Sequence, residues 1–212
     1  GSREFRLDRF LEQVDRLLSR NKLPVVLIHR TADFSIPPFC APEELYAQFK
    51  KLADRGAELW YYADSYTMID CYLSSLCRYR CIQYLGTITF RGIARSGLFF
   101  TKALAAHGIT VEVFRQGNYK SAAAGFTEEQ FDSYDREQWE ALLDCTVGHL
   151  AARTASGAGF SRELVDDLLS GTRLTAEQGV QRGIIHRITT YQQLCSYWKD
   201  EKRKLKALAK PR

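Results

Sequence analysis

Residues 113–131 read VFRQGNYKSAAAGFTEEQF. The stretch opens as an apolar, strand-like run and closes as an acidic helix start. Between the two, Gly117 permits an unusual turn. Lys120 stands between Tyr119 and Ser121, ahead of three alanines. A lysine laid along small residues in a dry cleft loses part of its preference for the charged form. Such an amine is a usable general base, taking a serine hydroxyl's proton as the oxygen attacks a carbonyl. On local composition alone the same lysine reads as a solvated loop cation, since most lysines are exposed.

Working outward, strand and helix patterns alternate. Upstream, SGLFFTKALAAHG (96–108) reads as a helix and ITVEVFRQ (109–116) as the strand that delivers the lysine. Downstream, residues 127–155 read as one long helix and SRELVDDLLSG (161–171) as a shorter one with Ser161 as its N-cap and Glu163 or Asp166 near its start. TAEQGVQRG (175–183) is a helical turn before a last strand, IIHRI (184–188). Toward the N-terminus, LPVVLIHR (23–30) is a short continuous apolar run, the mark of a buried parallel strand. AELWYYAD (57–64) is another strand, and CIQYLGTITF (81–90) is a strand or strand pair. Residues 5–20 place Phe5, Phe10, Leu11, Val14, Leu17 and Leu18 on one helical face. Residues 41–56 and 66–79 also read as helices. This alternation predicts an α/β fold with a largely parallel sheet and flanking helices. One domain is expected over 3–199, with a basic tail over 200–212. Gly1-Ser2 reads as a cloning scar, so the chain is expected to be a piece of something longer.

Composition narrows the function classes. With 45% hydrophobic and 26% charged residues over 212 positions, the chain can bury a core without disulfides or metal. The net charge of +5 is mild, and its excess lies in KDEKRKLKALAKPR (199–212). No aromatic platform or nucleic-acid motif accompanies that run, so no nucleic-acid partner is expected. No stretch reaches the roughly 18 apolar residues that span a bilayer. The six cysteines form no CxxC pair, and Cys77 and Cys81 lack nearby histidines, so no metal is expected. GIARSG (92–97) lacks the GK[ST] ending of a P-loop. His29, His107, His149 and His186 are dispersed without a metalloprotease or triad spacing. The aromatic residues Trp60 to Tyr62 and Phe99-Phe100 read as core.

A family resemblance sharpens this reading. VFRQGNYKSAAAGFT is similar to the R-x-G-x-Y-K-S-A-x-x-x-F stretch of the signal peptide peptidase A family, the membrane-associated serine–lysine peptidases of the Clp protease/crotonase fold. GIARSGLFFTKALAAHGITVEVF (92–114) resembles the segment that precedes that lysine, and LTAEQGVQRGIIHRI (174–188) resembles the family's T-A-x-x-A-x-x-x-G-L-V-D ending. The likeness covers roughly residues 5–195. It is closest to the lysine-bearing N-terminal half of the long bacterial form, whose serine comes from a second half on another protomer. It implies Lys120 as the general base. Tyr119 and Ser121 stand beside it as supporting residues, Ser121 placed to orient the amine. It further implies a peptide substrate, a homo-oligomer or a serine-bearing second domain, and no cofactor. A membrane anchor would lie outside this sequence, and the location would be the extracytoplasmic face of a bacterial inner membrane.

The chain departs from the family at the serine. A serine-bearing domain shows a small-residue run such as A-S-G-G-Y at the start of a helix, where backbone and helix N-terminus polarise the substrate. Here the matching stretch is DSYTMIDCYLSSLC (64–77), which places Met68 or a neighbour at the serine position. Ser65 and Thr67 are the nearby hydroxyls and the candidate nucleophiles, without the glycines that strained turns need. Asp64 and Asp70 either flank a site or cap the helix. Three functions remain: a peptidase half-site, a pseudo-peptidase for assembly or peptide binding, and, last, a crotonase-type acyl-CoA enzyme.

Overall fold

The computed structural model describes residues 7–20, 25–31, 40–91, 93–157, 160–200 and 206–208. They fall into two compact units, one made of the residues up to Gly92 and from Ala151 onward, the other of Ile93–Leu150.

The first unit opens with α1 (Leu7–Leu18), which buries Phe10, Val14 and Leu17, the face expected from their spacing. Phe10 meets Phe49 of α2 (Cys40–Asp54) edge to face at 6.0 Å. Between them runs β1 (Val26–Arg30). Gly56, with φ 84°, lets the chain leave α2 through a left-handed turn into β2 (Leu59–Ala63). All five residues of β2 are buried, because the sheet is covered on both faces. Next come β3 (Tyr66–Thr67), α3 (Met68–Ser74), β4 (Tyr79–Ile82) and β5 (Thr87–Thr89). After the second unit the chain returns as α7 (Arg162–Leu169), β6 (Arg173–Thr175), α8 (Ala176–Gln181), β7 (Arg187–Ile188), α9 (Tyr191–Asp200) and β8 (Lys206–Leu208).

Five strands form one sheet in the order β7-β4-β2-β1-β8, every pair parallel. Val26 lies beside Leu59 and Arg30 beside Ala63, so the carboxyl ends of β1 and β2 are level. Strand alternation sends Trp60 and Tyr62 to one face, where they meet Leu194 and Trp198 of α9. Trp60 and Trp198 pack edge to face at 4.6 Å. A smaller sheet, β3-β5-β6, pairs β3 with β5 in parallel and β5 with β6 antiparallel. The expected α/β fold with a largely parallel sheet is the fold observed.

The second unit holds α4 (Thr101–Ala106), α5 (Ala124–Thr127) and the start of α6 (Ser133–Ser156). Three expectations need correction. Residues 109–116 form no strand, and Ile109, Val113 and Phe114 are exposed. Their apolar run satisfies β propensity, but a strand exists only with a ladder partner, and no partner pairs with them among the described residues. The long helix starts at Ser133 rather than near 127, because Asp132 Oδ1 accepts the Asp135 amide at 2.7 Å and begins the helix there. The helix expected over 66–79 is divided into β3 and α3 by the cap at Thr67. The helix α9 was not foreseen. Gly1-Ser2, Phe5, residues 23–24 and most of the basic tail lie outside the described residues.

Candidate active site

In parallel α/β sheets, ligands bind beyond the carboxyl ends of the strands. In the first unit that edge carries Arg30, at the end of β1, and Asp64 and Ser65, just past β2. Thr67 follows as the N-cap of α3, with φ −109° and ψ 177°. Its hydroxyl accepts the Asp70 amide at 3.4 Å, while its own amide donates to Asp70 Oδ2 at 2.7 Å. This reciprocal pair is a capping box, encoded by the T-x-x-D spacing. The Thr67 hydroxyl also donates to Asp70 Oδ2 at 2.6 Å.

Asp70 is 1% exposed and holds more than a cap. Its Oδ1 accepts the Tyr61 hydroxyl at 2.7 Å and the Nε of Arg30. The guanidinium of Arg30 reaches further and donates through Nη2 to the carbonyl of Ser65. Burial alone would lower the Arg30 pKa, yet Asp70 and Tyr61 together outweigh it and the net shift is upward. Tyr61 is pushed well up, first by burial and then by the Asp70 charge. A carboxylate with these partners locks β1, β2 and the head of α3 together. Of the two hydroxyl candidates, Ser65 is half-buried with its carbonyl clamped, and Thr67 is exposed but committed to Asp70. Met68 occupies the first helical position. Ser74 and Ser75 donate to the carbonyls of Cys71 and Tyr72, the ordinary behaviour of helix hydroxyls.

Lys120 lies in the second unit, on an exposed turn entered through Gly117 at φ 95°. Its neighbours are pinned to α6. The Tyr119 hydroxyl donates to Glu137 at 3.1 Å, and the Tyr119 carbonyl accepts from Gln138 at 3.2 Å. The Tyr119 ring meets Tyr134 edge to face at 5.4 Å. Arg115 donates to the Lys120 carbonyl at 3.4 Å and stands 4.0 Å from the Asp132 carboxylate. Ser121 is half-buried, and its carbonyl accepts the Ala124 amide at 2.9 Å. The structure therefore groups Tyr119, Lys120 and Ser121 in one anchored turn of the second unit. Ser65 and Thr67 share the head of α3 in the first.

His29 stacks on Tyr191 at 4.2 Å. His186 Nδ1 accepts the Arg80 amide at 3.1 Å. No group of three or more His, Cys, Asp or Glu suited to a metal ion occurs among the described residues. Sequence reasoning missed Arg30 and took Tyr61 as plain core. The sequence reads Asp70, with Asp64, as a residue that either flanks a site or caps the helix, and the structure shows it as the cap.

The family model of Peptidase family S49 matches residues 51–206, a span that includes both the Asp70 cluster and the Lys120 turn. The chain belongs to Peptidase family S49. Protease 4 of Haemophilus influenzae is 32% identical over 73 residues, which is 34% of this chain and 12% of that protein's length. The S49 chain thus spans only a small part of the curated relative it matches. Among solved structures, ThnE from S. clavuligerus aligns with a TM-score of 0.50 at 11% identity, covering 93% of this chain and 74% of that one. A structure described only as an enzyme aligns with a TM-score of 0.51 at 9% identity, covering 86% and 88%. At such identities the likeness concerns the fold. The S49 chain has an α/β fold with a largely parallel sheet and flanking helices.

Proposed function

We propose that this chain is the lysine-bearing part of a signal peptide peptidase A-like serine endopeptidase. In this reading Lys120 is the general base of a composite serine–lysine site that cleaves membrane-derived or unfolded peptides. The serine comes from a second domain or another subunit. The observation that carries the reading is the state of the α3 head. Its exposed hydroxyl, on Thr67, caps a helix and donates to a buried carboxylate, and the resemblance sets Met68 or a neighbour at the serine position. A chain with an anchored lysine turn and with the exposed hydroxyl of the α3 head committed to a cap fits one half of a divided site.

The chemistry is acyl transfer. The neutral amine of Lys120 accepts the proton of the incoming serine hydroxyl as that oxygen bonds to the scissile carbonyl carbon. The resulting ammonium returns the proton to the leaving amine as the peptide bond breaks, leaving an acyl-serine. Water, deprotonated by the same amine, then releases the acyl group as acid. An amine serves as base only when neutral, and burial disfavours its charged form. Lys120 is exposed in this chain alone, so a serine-bearing partner that covers the turn would also activate it. Tyr119 and Ser121 support the turn. The chemistry needs no metal or cofactor, and no nucleic acid enters it. Among the described residues no helix is long and apolar enough to cross a membrane. Attachment at the extracytoplasmic face of a bacterial inner membrane would use a segment outside this sequence.

A second reading is a pseudo-peptidase that assembles or binds peptide. Met68 and the closed capping box favour it. Cleavage of an unfolded reporter protein separates the two. The half-site reading expects no cleavage by the chain alone, cleavage on adding a serine-bearing S49 domain, and loss of that cleavage in Lys120→Met. Cleavage by the chain alone, or a mixture indifferent to Lys120→Met, would overturn it. A mixture that never cleaves favours the pseudo-peptidase.

A further inference from the structure

The second unit contains an open cavity of about 310 Å3 whose residues play no part in the scheme above, apart from Ser121. Its lining includes the small residues Gly97 and Ser121 and the aromatic residues Phe131 and Trp139. Asp135 also lines it. This aspartate is 4% exposed. Its backbone amide is taken by Asp132, but no hydrogen bond or ion pair of its carboxylate occurs among the described residues. A carboxylate this little exposed, in the first turn of α6 and lining an open cavity, leaves its charge available to a cation that enters there. Arg95, the other charged lining residue, is exposed and lies over the Trp139 ring at 4.2 Å. It forms no ion pair with Asp135 among the described residues.

We infer that this cavity is a subsite for a cationic side chain, arginine or lysine, of a bound peptide, with Asp135 as its counter-charge. The cavity's volume exceeds what one such side chain needs. Its aromatic residues suit the aliphatic stem of such a side chain, and the Trp139 face already carries the guanidinium of Arg95. The position fits as well, because Ser121 lines the cavity and directly follows Lys120 in the chain. A peptide held at the lysine turn would have a side chain within reach of Asp135. The inference rests on the peptide-handling reading for the source of the cation. Its test needs no cleavage, so the two can fail separately.

The test is an NMR titration of the whole chain with N-acetyl-arginine amide and with its neutral isostere, N-acetyl-citrulline amide. The arginine probe is expected to bind about tenfold tighter, the factor that one desolvated charge pair readily supplies. Asp135→Asn should bring the two affinities together, and Arg95→Gln should raise the affinity for arginine by removing a like charge. Equal affinities in the unmutated chain, or no binding of either probe, would overturn the inference. So would a folded Asp135→Asn that keeps the preference. If that variant does not fold, the comparison of probes on the unmutated chain decides alone.

Discussion

Arg30 and Asp70 are 40 residues apart in sequence and form an ion pair in which the carboxylate is 1% and the guanidinium 11% exposed. The pair joins the end of a strand to the head of a helix, and through Arg30 it also holds the Ser65 carbonyl. Removing the charge from Asp70 strands a buried cation and weakens the acceptor for Tyr61 and Thr67. Asp70→Asn is expected to cost about 3–5 kcal/mol, the usual penalty for breaking a buried pair. Urea unfolding checks it, and a loss below 1 kcal/mol would show the pair to be incidental.

Thr67 should behave as a cap and not as a nucleophile. Thr67→Ala is expected to cost about 1 kcal/mol, and Thr67→Ser close to nothing, because serine caps as well. Cleavage by the assembled half-sites should be the same for all three at a temperature where each is folded. A Thr67→Ala variant with unchanged stability and abolished cleavage would place the hydroxyl in the chemistry instead.

Lys120 should be the reverse case. It is exposed, and among the described residues no hydrogen bond or ion pair uses its amine, so Lys120→Met should change stability by no more than about 0.5 kcal/mol. The same variant should abolish cleavage by the assembled pair. Unfolding curves and a turnover assay on one preparation read both effects.

Stability should fall in mild acid, in part through His186. Its Nδ1 accepts the Arg80 amide and so must be unprotonated. Partial burial, followed by the charge of Arg80, holds its pKa below the ordinary histidine value. The unfolded chain therefore takes up the proton first as the pH drops below about 6.5. The stability contributed is complete above that value and is lost as the pH falls toward the folded-state pKa. Urea midpoints at pH 7.5 and 5.5 should differ less in His186→Asn than in the parent chain. An equal drop in both would assign the effect elsewhere.

Cys71, Cys77 and Cys81 are buried thiols whose pKa values are raised, burial being the first cause in each, and Cys81 is pushed up to about 12. Cys145 is exposed. A thiol-specific chromogen should label Cys145 at once and reach the three buried thiols only on unfolding. Mass mapping of the early label checks this.

The fold class was legible because it rests on local patterns. The apolar runs at 23–30 and 57–64 and the capped helix between them required no knowledge of distant residues. Where distant partners decide, reading failed. Nothing local told that 109–116 would lack a strand partner, and nothing in 191–200 announced that Leu194 and Trp198 would cover Trp60. The Asp70 cluster was half legible. Its cap follows from a three-residue spacing, whereas Arg30 and Tyr61 come from other strands. The Lys120 motif was visible at once, but its anchoring through Glu137 and Gln138 crosses 18 and 19 residues of chain.

The pairing of Val26 with Lys206 and of Ile28 with Leu208 sets a timetable. One of the two neighbours of β1 in the main sheet is made 180 positions after it. At ribosomal speeds of roughly 5–20 residues per second, that edge waits on the order of ten to forty seconds for its own chain. Throughout the wait its amides and carbonyls offer a ladder to any other extended segment nearby. The nascent protein therefore needs either shielding or crowd-free dilution, and its yield on expression should track the supply of strand-binding chaperones more than its final stability.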